Sequence, residues 1–553
     1  MARVLPPRRR TRVLLALLGV AVVAGAVASL LVYRAATVDP GNVSNPNVEF
    51  DEQAPVEKEP KPADRSQWPL YGFSKDHRRY YRTPKRMPVR GPWGRVWRYR
   101  ASALLEFPPV IYRGSLYQLA DDGVLYSLRK NTGRLRWKRD IGFLSASSPA
   151  IGGGSLYATV LERGRGVKAG RVVSLRLRRG GVKWSRNLSS RSESSPLLHR
   201  GRIYFGTEGG TLYCLNAHNG RTVWRYQADG AIKGSPTLSN GKLYFGDYGG
   251  HVHAVRLTNG HRVWEASPAA RALRSGRFYA TAAVAYGRVF IGSTDGRQYS
   301  LSARNGRLAW ARQTGNYVYS SAAVHDVPKV GPTVFFGSYD GHFYALSAKT
   351  GGVRWKFRSG GRISGAATII GRAVFFADLG KRLTYGLSLP TGKVFFKRGP
   401  GAFDPMISDG RHLFQTGHHS VTALLPAREA REELRKRRER ARAGRKPRDE
   451  TGDKKRGRAG DKKRGRAGDK RRGRSGDKKR GRSGGNKRGR SAKPRTSRAE
   501  RRKKTRERRA RQARQRRARK ARAARARALR RCRRHTTRSA RRRCRRAVFG
   551  IRR

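Results

Sequence analysis

Along residues 211–224, TLYCLNAHNGRTVW, Tyr213 and Leu215 alternate with smaller side chains as far as Asn219-Gly220, and Thr222, Val223 and Trp224 then resume the pattern. The alternation and the Asn-Gly pair predict two short strands joined by a tight turn. Nearly the same hairpin returns as HVHAVRLTNGHRVW (251–264), RQYSLSARNGRLAW (297–310) and HFYALSAKTGGVRW (342–355). The copies are placed by the aromatic residue that closes each one: Trp97, Trp137, Trp184, Trp224, Trp264, Trp310, Trp355 and Phe396, at intervals of 40, 47, 40, 40, 46, 45 and 41 residues. PTGKVFF (390–396) is the weakest copy.

Earlier in each unit comes a Gly-rich strand pair, such as GKLYFGDYGGHVHAV (241–255). Earlier still comes a patch of small residues: SSP at 147–149 and 194–196, GSP at 234–236, SSA at 320–322 and SGA at 364–366. Four short strands every forty-odd residues, with no helical period, are the pattern of a β-propeller blade. Eight closing positions predict an all-β, eight-bladed propeller of four-stranded blades over 67–425. The last unit, 403–425, has no closing strand, and GRVW (94–97) has no unit before it. Pairing these two orphans in one blade shuts the ring and removes the exposed sheet edge.

The blade GSYDGHFYALSAKTGGVRW (337–355) resembles the consensus of the pyrroloquinoline-quinone-like (PQQ-like) repeat family, and WPLYGFSKDHRRYYRT (68–83) looks like the lead-in such domains carry before the first blade. The resemblance covers about residues 67 to 425. It implies a propeller of the kind found in quinoprotein dehydrogenases and in a non-enzymatic outer-membrane assembly lipoprotein. For the dehydrogenase branch it further implies a quinone stacked on a disulfide between adjacent cysteines, with calcium or a lanthanide held by carboxylates. This chain has no Cys-Cys pair, and Cys214 is the single cysteine of the repeats. Every repeat tryptophan is accounted for as a closing-strand residue. No cofactor, no metal and no catalytic residue are therefore expected. The chain also lacks the lipobox cysteine of the assembly lipoprotein, and its basic tail has no counterpart in the family pattern.

The ends of the chain add two further features. Residues 13–33 are 21 uncharged positions, enough to span a bilayer as a helix, preceded by the basic segment 1–12 and followed by acidic residues. The positive-inside rule puts 1–12 in the cytoplasm and everything after Arg34 outside. The length favours a retained single-pass anchor over a cleaved signal peptide, whose apolar region runs about 7–15 residues. Residues 34–66, rich in Pro, Asn, Asp and Glu, read as a flexible stalk.

The net charge is +90, and residues 427–553 hold 61 Lys and Arg against 12 Asp and Glu. Residues 428–448 suit a charged helix, whereas five octads such as GDKKRGRA (452–491) have no apolar content to pack and read as disordered. Anionic lipid, phosphate-bearing wall polymer and acidic polysaccharide are the partners expected at the tail. Nucleic acid is a weaker candidate, because the topology places the tail outside the cytoplasm. Cys532 and Cys544 suit a disulfide outside the cell, whereas a zinc site crowded by arginines is electrostatically unfavourable.

Candidate sites are sparse. His251 and His253 share a strand face, but His253 takes the Tyr slot of sister blades and reads as packing. His418-His419 lacks a companion ligand. Glu193, Lys233, Tyr279, Tyr319 and Asp404 stand just before small-residue patches, where they reach the channel mouth. Their mixed chemistry suits a partner-binding rim better than a catalytic centre. The sequence thus reads as a monomeric, membrane-anchored, extracytoplasmic scaffold binding an envelope protein or polymer. The alternatives are a PQQ-dependent oxidoreductase and an envelope-tethered nucleic-acid binder.

Overall fold

A computed structural model describes residues 42–52, 68–84, 87, 91–268 and 276–443. The expected anchor at 13–33, the octads and both tail cysteines lie outside these residues. Among those described, no helix is long and apolar enough to cross a membrane. The repeats form eight antiparallel blades of four strands. Blades 1 to 7 start at Val110, Ala150, Leu197, Thr237, Ala283, Ala323 and Thr368, and each runs continuously to its closing strand. Blade 8 is composite, as the two sequence orphans require: Ile407–Ser408, Leu413–Gly417 and Ser420–Pro426 are completed by Trp93–Arg100, with Trp97 opposite Ala423.

The closing tryptophans explain the repeat. From Trp97 to Trp355, each donates its indole N–H to a backbone carbonyl of the next blade at 2.9–3.2 Å. The ring also covers the glycine of that blade's last turn. Gly260 has φ +74°, and a Cβ there would stand 2.5 Å from the Trp224 ring. Glycine is thus required twice, by its own backbone and by its neighbour's indole. Phe396 differs because blade 8 joins strands from opposite parts of the chain and offers no such turn. It packs edge-on against Phe375 instead.

Residues 68–81 cross the inner strands. Carbonyls of Trp68, Pro69, Lys75, Asp76, Arg78 and Arg79 accept N–H bonds from Ile111, Ile151, Leu238, Val284, Val324 and Ile369, in blades 1, 2, 4, 5, 6 and 7. Six otherwise open inner edges are satisfied by one peptide.

Two boundaries differ from the sequence reading. Part of the segment read as a flexible stalk is laid on the propeller: Val43–Ser44 pairs with the closing strand of blade 5, Val43 opposite Ala311. Val48 is buried, Phe50 stacks on Tyr286, and Arg288 bonds the carbonyls of Val48 and Glu49. An edge strand with unpaired backbone groups and a few apolar anchors outweigh a disorder-prone composition. At the other boundary, the helix Ala427–Ala443 opens the tail but packs on blade 8. Ala430 is buried there, a Cβ at Gly94 would collide with it, and Arg437 bonds the carbonyls of Val96 and Asn131.

Candidate functional site at the channel mouth

The segments entering the inner strands converge around the propeller axis. Their small residues do more than fit a narrow space. Ser148, Ser235 and Thr281 accept or donate across blade boundaries: Ser148 N–H to Ser195 Oγ (2.9 Å), Ser235 N–H to Thr281 Oγ1 (2.9 Å) and Thr281 N–H to Ser321 Oγ (3.0 Å). This hydroxyl belt fixes the wall of a cavity of about 350 Å³. Glu193, Lys233, Tyr279, Tyr319 and Asp404 all line it, and Tyr71 of the crossing segment forms part of its wall. Sequence reasoning missed Glu106, Tyr248, Tyr317 and Tyr339, which line the same space. Tyr248, Tyr317 and Tyr339 sit on loops or turns outside the small-residue patches, so only the ring geometry brings them in.

The polar groups form a connected set. Lys233 donates to Glu193 (2.6 Å) and to Glu208 (2.8 Å), and Tyr279 donates to the other Glu193 oxygen (3.1 Å). Burial opposes the Lys233 charge, yet its two carboxylate bonds outweigh that and hold its pKa above the usual lysine value. Burial pushes Glu106 up to about 7, with repulsion from Glu193 and Asp121 adding to it. Asp404 is 2% exposed and is raised well above the carboxylate range by burial, then by Glu106, and its Oδ2 has no partner. Around these acids stand the tyrosines: Tyr319 lies 5.3 Å from Tyr279, 5.7 Å from Tyr317 and 5.0 Å from Tyr339. The arrangement is an aromatic cup over an acidic base, with hydrogen-bonding groups fixed by the belt beneath.

Comparison with known proteins bears on the fold. Segments 94–199 and 168–398 match the family model described as outer membrane protein assembly factor BamB. The chain belongs to the PQQ-like repeat propeller family. The crystal structure of BamB from Moraxella catarrhalis is 17% identical, with 60% of this chain and 100% of that one covered and a TM-score of 0.50. Quinohemoprotein alcohol dehydrogenase ADHIIG from Pseudomonas putida is 13% identical over 66% of this chain and 80% of that one, at a TM-score of 0.56. A europium-containing methanol dehydrogenase is 12% identical over 67% and 92%, at 0.54. At these identities the likeness is one of fold. No curated protein sequence matches the chain.

The family's redox branch implies a quinone and a hard cation, and the cavity can be tested for both. A polycarboxylate quinone entering it would need cationic partners, and the lysine of the lining, Lys233, is already engaged by Glu193 and Glu208. Cys214 is buried within blade 3, away from the axis strands, so no sulfur platform is offered among the described residues. Among the described residues, three-ligand clusters form at Asp247, His251 and His253 and at Asp229, His251 and Glu265, and neither includes a cavity carboxylate. The residues present do not fit the group. His418 and His419 lie in the blade 8 turn, 3.2 Å from each other, and belong to neither cluster.

Proposed function

We propose that this family member is a non-enzymatic scaffold, anchored by residues 13–33, with its propeller and tail outside the cytoplasm. The channel mouth engages an envelope protein or polymer, and the polycationic tail contacts anionic envelope material. The observation that carries this reading is the cavity itself: five mouth residues from different blades, one ion-pair network and a tyrosine cup, without a donor set for the quinone. The match to the BamB family model supports a protein partner, since that description is of an assembly factor.

The test uses the full chain with a photo-crosslinking residue at position 317, exposed at the cup edge. One envelope component should crosslink at high salt and be lost on Glu193→Gln or Tyr319→Ala, while anionic wall or lipid material releases as salt rises. Stoichiometric uptake of quinone with calcium, accompanied by dye reduction, would establish the oxidoreductase instead.

A further inference from the structure

Blade 4 shares a histidine with blade 6 at one position but departs from blades 5 and 6 on either side of it. Where blades 5 and 6 have Ser293, Arg297 and Tyr299 or Ser338, His342 and Tyr344, blade 4 has Asp247, His251 and His253. In the sister blades the tyrosine donates to an aspartate of the turn, Tyr299 to Asp295 (2.5 Å) and Tyr344 to Asp340 (2.6 Å). In blade 4 that aspartate's place is taken by Gly249, and the carboxylate has moved to Asp247. The result is a convergence of two imidazoles and one carboxylate at the hairpin joining Lys242–Gly246 to Val252–Arg256.

We infer that this hairpin is a site for a divalent transition-metal ion of the zinc class, held by Asp247 Oδ2, His251 Nδ1 and His253 Nε2. His253 Nε2 lies 3.1 Å and His251 Nδ1 3.6 Å from Asp247 Oδ2. Ligand bonds of about 2.1 Å in a tetrahedron set donor–donor separations of about 3.4 Å, so these distances bracket the requirement. The His251 Nδ1 atom is shielded from solvent and has no hydrogen-bond partner, a cost that a metal bond removes.

The surroundings are those of ligands held for a metal. On its far side, His253 Nδ1 meets Tyr226 Oη (3.1 Å) and Glu265 Oε2 (3.4 Å), the outer carboxylate contact that fixes a ligating ring. The ring is clamped by stacking on Phe245 at 4.9 Å. Asp247 Oδ1 accepts the His251 N–H (2.8 Å), and Oδ2 meets the Gly230 N–H (3.2 Å) and His253 Nε2 (3.1 Å), the last a hydrogen bond whose proton the ion would displace. Gly249 keeps the space clear, since a Cβ there would stand 3.0 Å from His251 Nδ1. Two imidazoles and one carboxylate suit zinc and its first-row neighbours, not calcium or magnesium. This departs from the sequence reading of His251 and His253 as packing, in which Asp247 played no part.

The test is done on the full chain carrying Cys532→Ser and Cys544→Ser, so that tail thiols do not compete. Zinc is titrated calorimetrically into chelator-treated protein, and cobalt(II) is followed by its visible absorption. One equivalent should bind with a four-coordinate cobalt spectrum and raise the Tm. His251→Ala, at a partly exposed position, should lose more than about 100-fold in affinity, beyond the range of outer-contact losses, and Glu265→Gln should lose about 10–100-fold. The zinc-dependent rise in Tm should vanish in His251→Ala while the metal-free Tm stays near that of the parent. Equal affinity in the parent and His251→Ala, or no saturable equivalent in the parent, would overturn the assignment.

Discussion

The outer rim and the channel mouth are built by opposite rules. At the rim one contact, an indole over a glycine turn with its N–H on the neighbour's carbonyl, is used at seven blade boundaries. At the mouth six of the eight blades contribute a mixed set: Glu106, Glu193, Lys233, Tyr279, Tyr319 and Asp404. Stability comes from the repeated element, because every boundary must bury the same faces. The unrepeated one suits the proposed recognition, because a partner is not eight-fold symmetric.

This contrast can be broken from the rim inward. Trp310→Ala removes an indole only 1% exposed together with its bond to Ala348, and should cost about 3–5 kcal/mol by denaturant titration while leaving partner crosslinking at the mouth intact under native conditions. A smaller effect is expected at the mouth, with a pH signature the rim lacks. Glu106 titrates near about 4.3 when unfolded. Folding raises it to about 7, so the folded state binds the proton more tightly. Its favourable contribution is complete below the unfolded value and is lost as pH rises through about 7. Glu106→Gln should therefore be more stable than the parent by up to about 3 kcal/mol at pH 8 and should converge with it near pH 4. A difference independent of pH would remove Glu106 from the buried acid set. Smallest is the irregular boundary: Phe396→Leu should cost about 1 kcal/mol, against several for the same change at Trp310, because no indole bond is lost. Equal losses at the two sites would show that the hydrogen bond adds nothing to ring packing.

The same contrast decides what could be read from sequence. The blade count, the closing aromatics and the pairing of 94–97 with 403–425 follow from periodicity, since a rim contact used repeatedly leaves a repeated trace. Glu193, Lys233, Tyr279, Tyr319 and Asp404 were placed at the mouth by their offset from the small-residue patches, and the structure brings them to one cavity. Tyr248, Tyr317 and Tyr339 carry no such offset. Glu106 has no patch behind it, only Phe107 and Pro108. The docking of 42–52 was hidden because Val43, Val48 and Phe50 are spread through a polar segment whose partner surface, the edge of blade 5, exists only after folding. Asp247 carries no signal of its own because only the folded hairpin brings its carboxylate to His251 and His253.

Blade 8 carries a consequence for how the molecule is made. Trp93–Arg100 emerges more than three hundred residues before Ser420–Pro426, yet each is the other's hydrogen-bonded neighbour. Blades 1 to 7 can form in order as the chain appears, each from local hairpins. The eighth cannot, and contacts so distant in sequence are slow to close. During synthesis the growing protein is therefore an open arc with one unpaired edge at each end, and those are the surfaces a chaperone must guard until the last strand arrives.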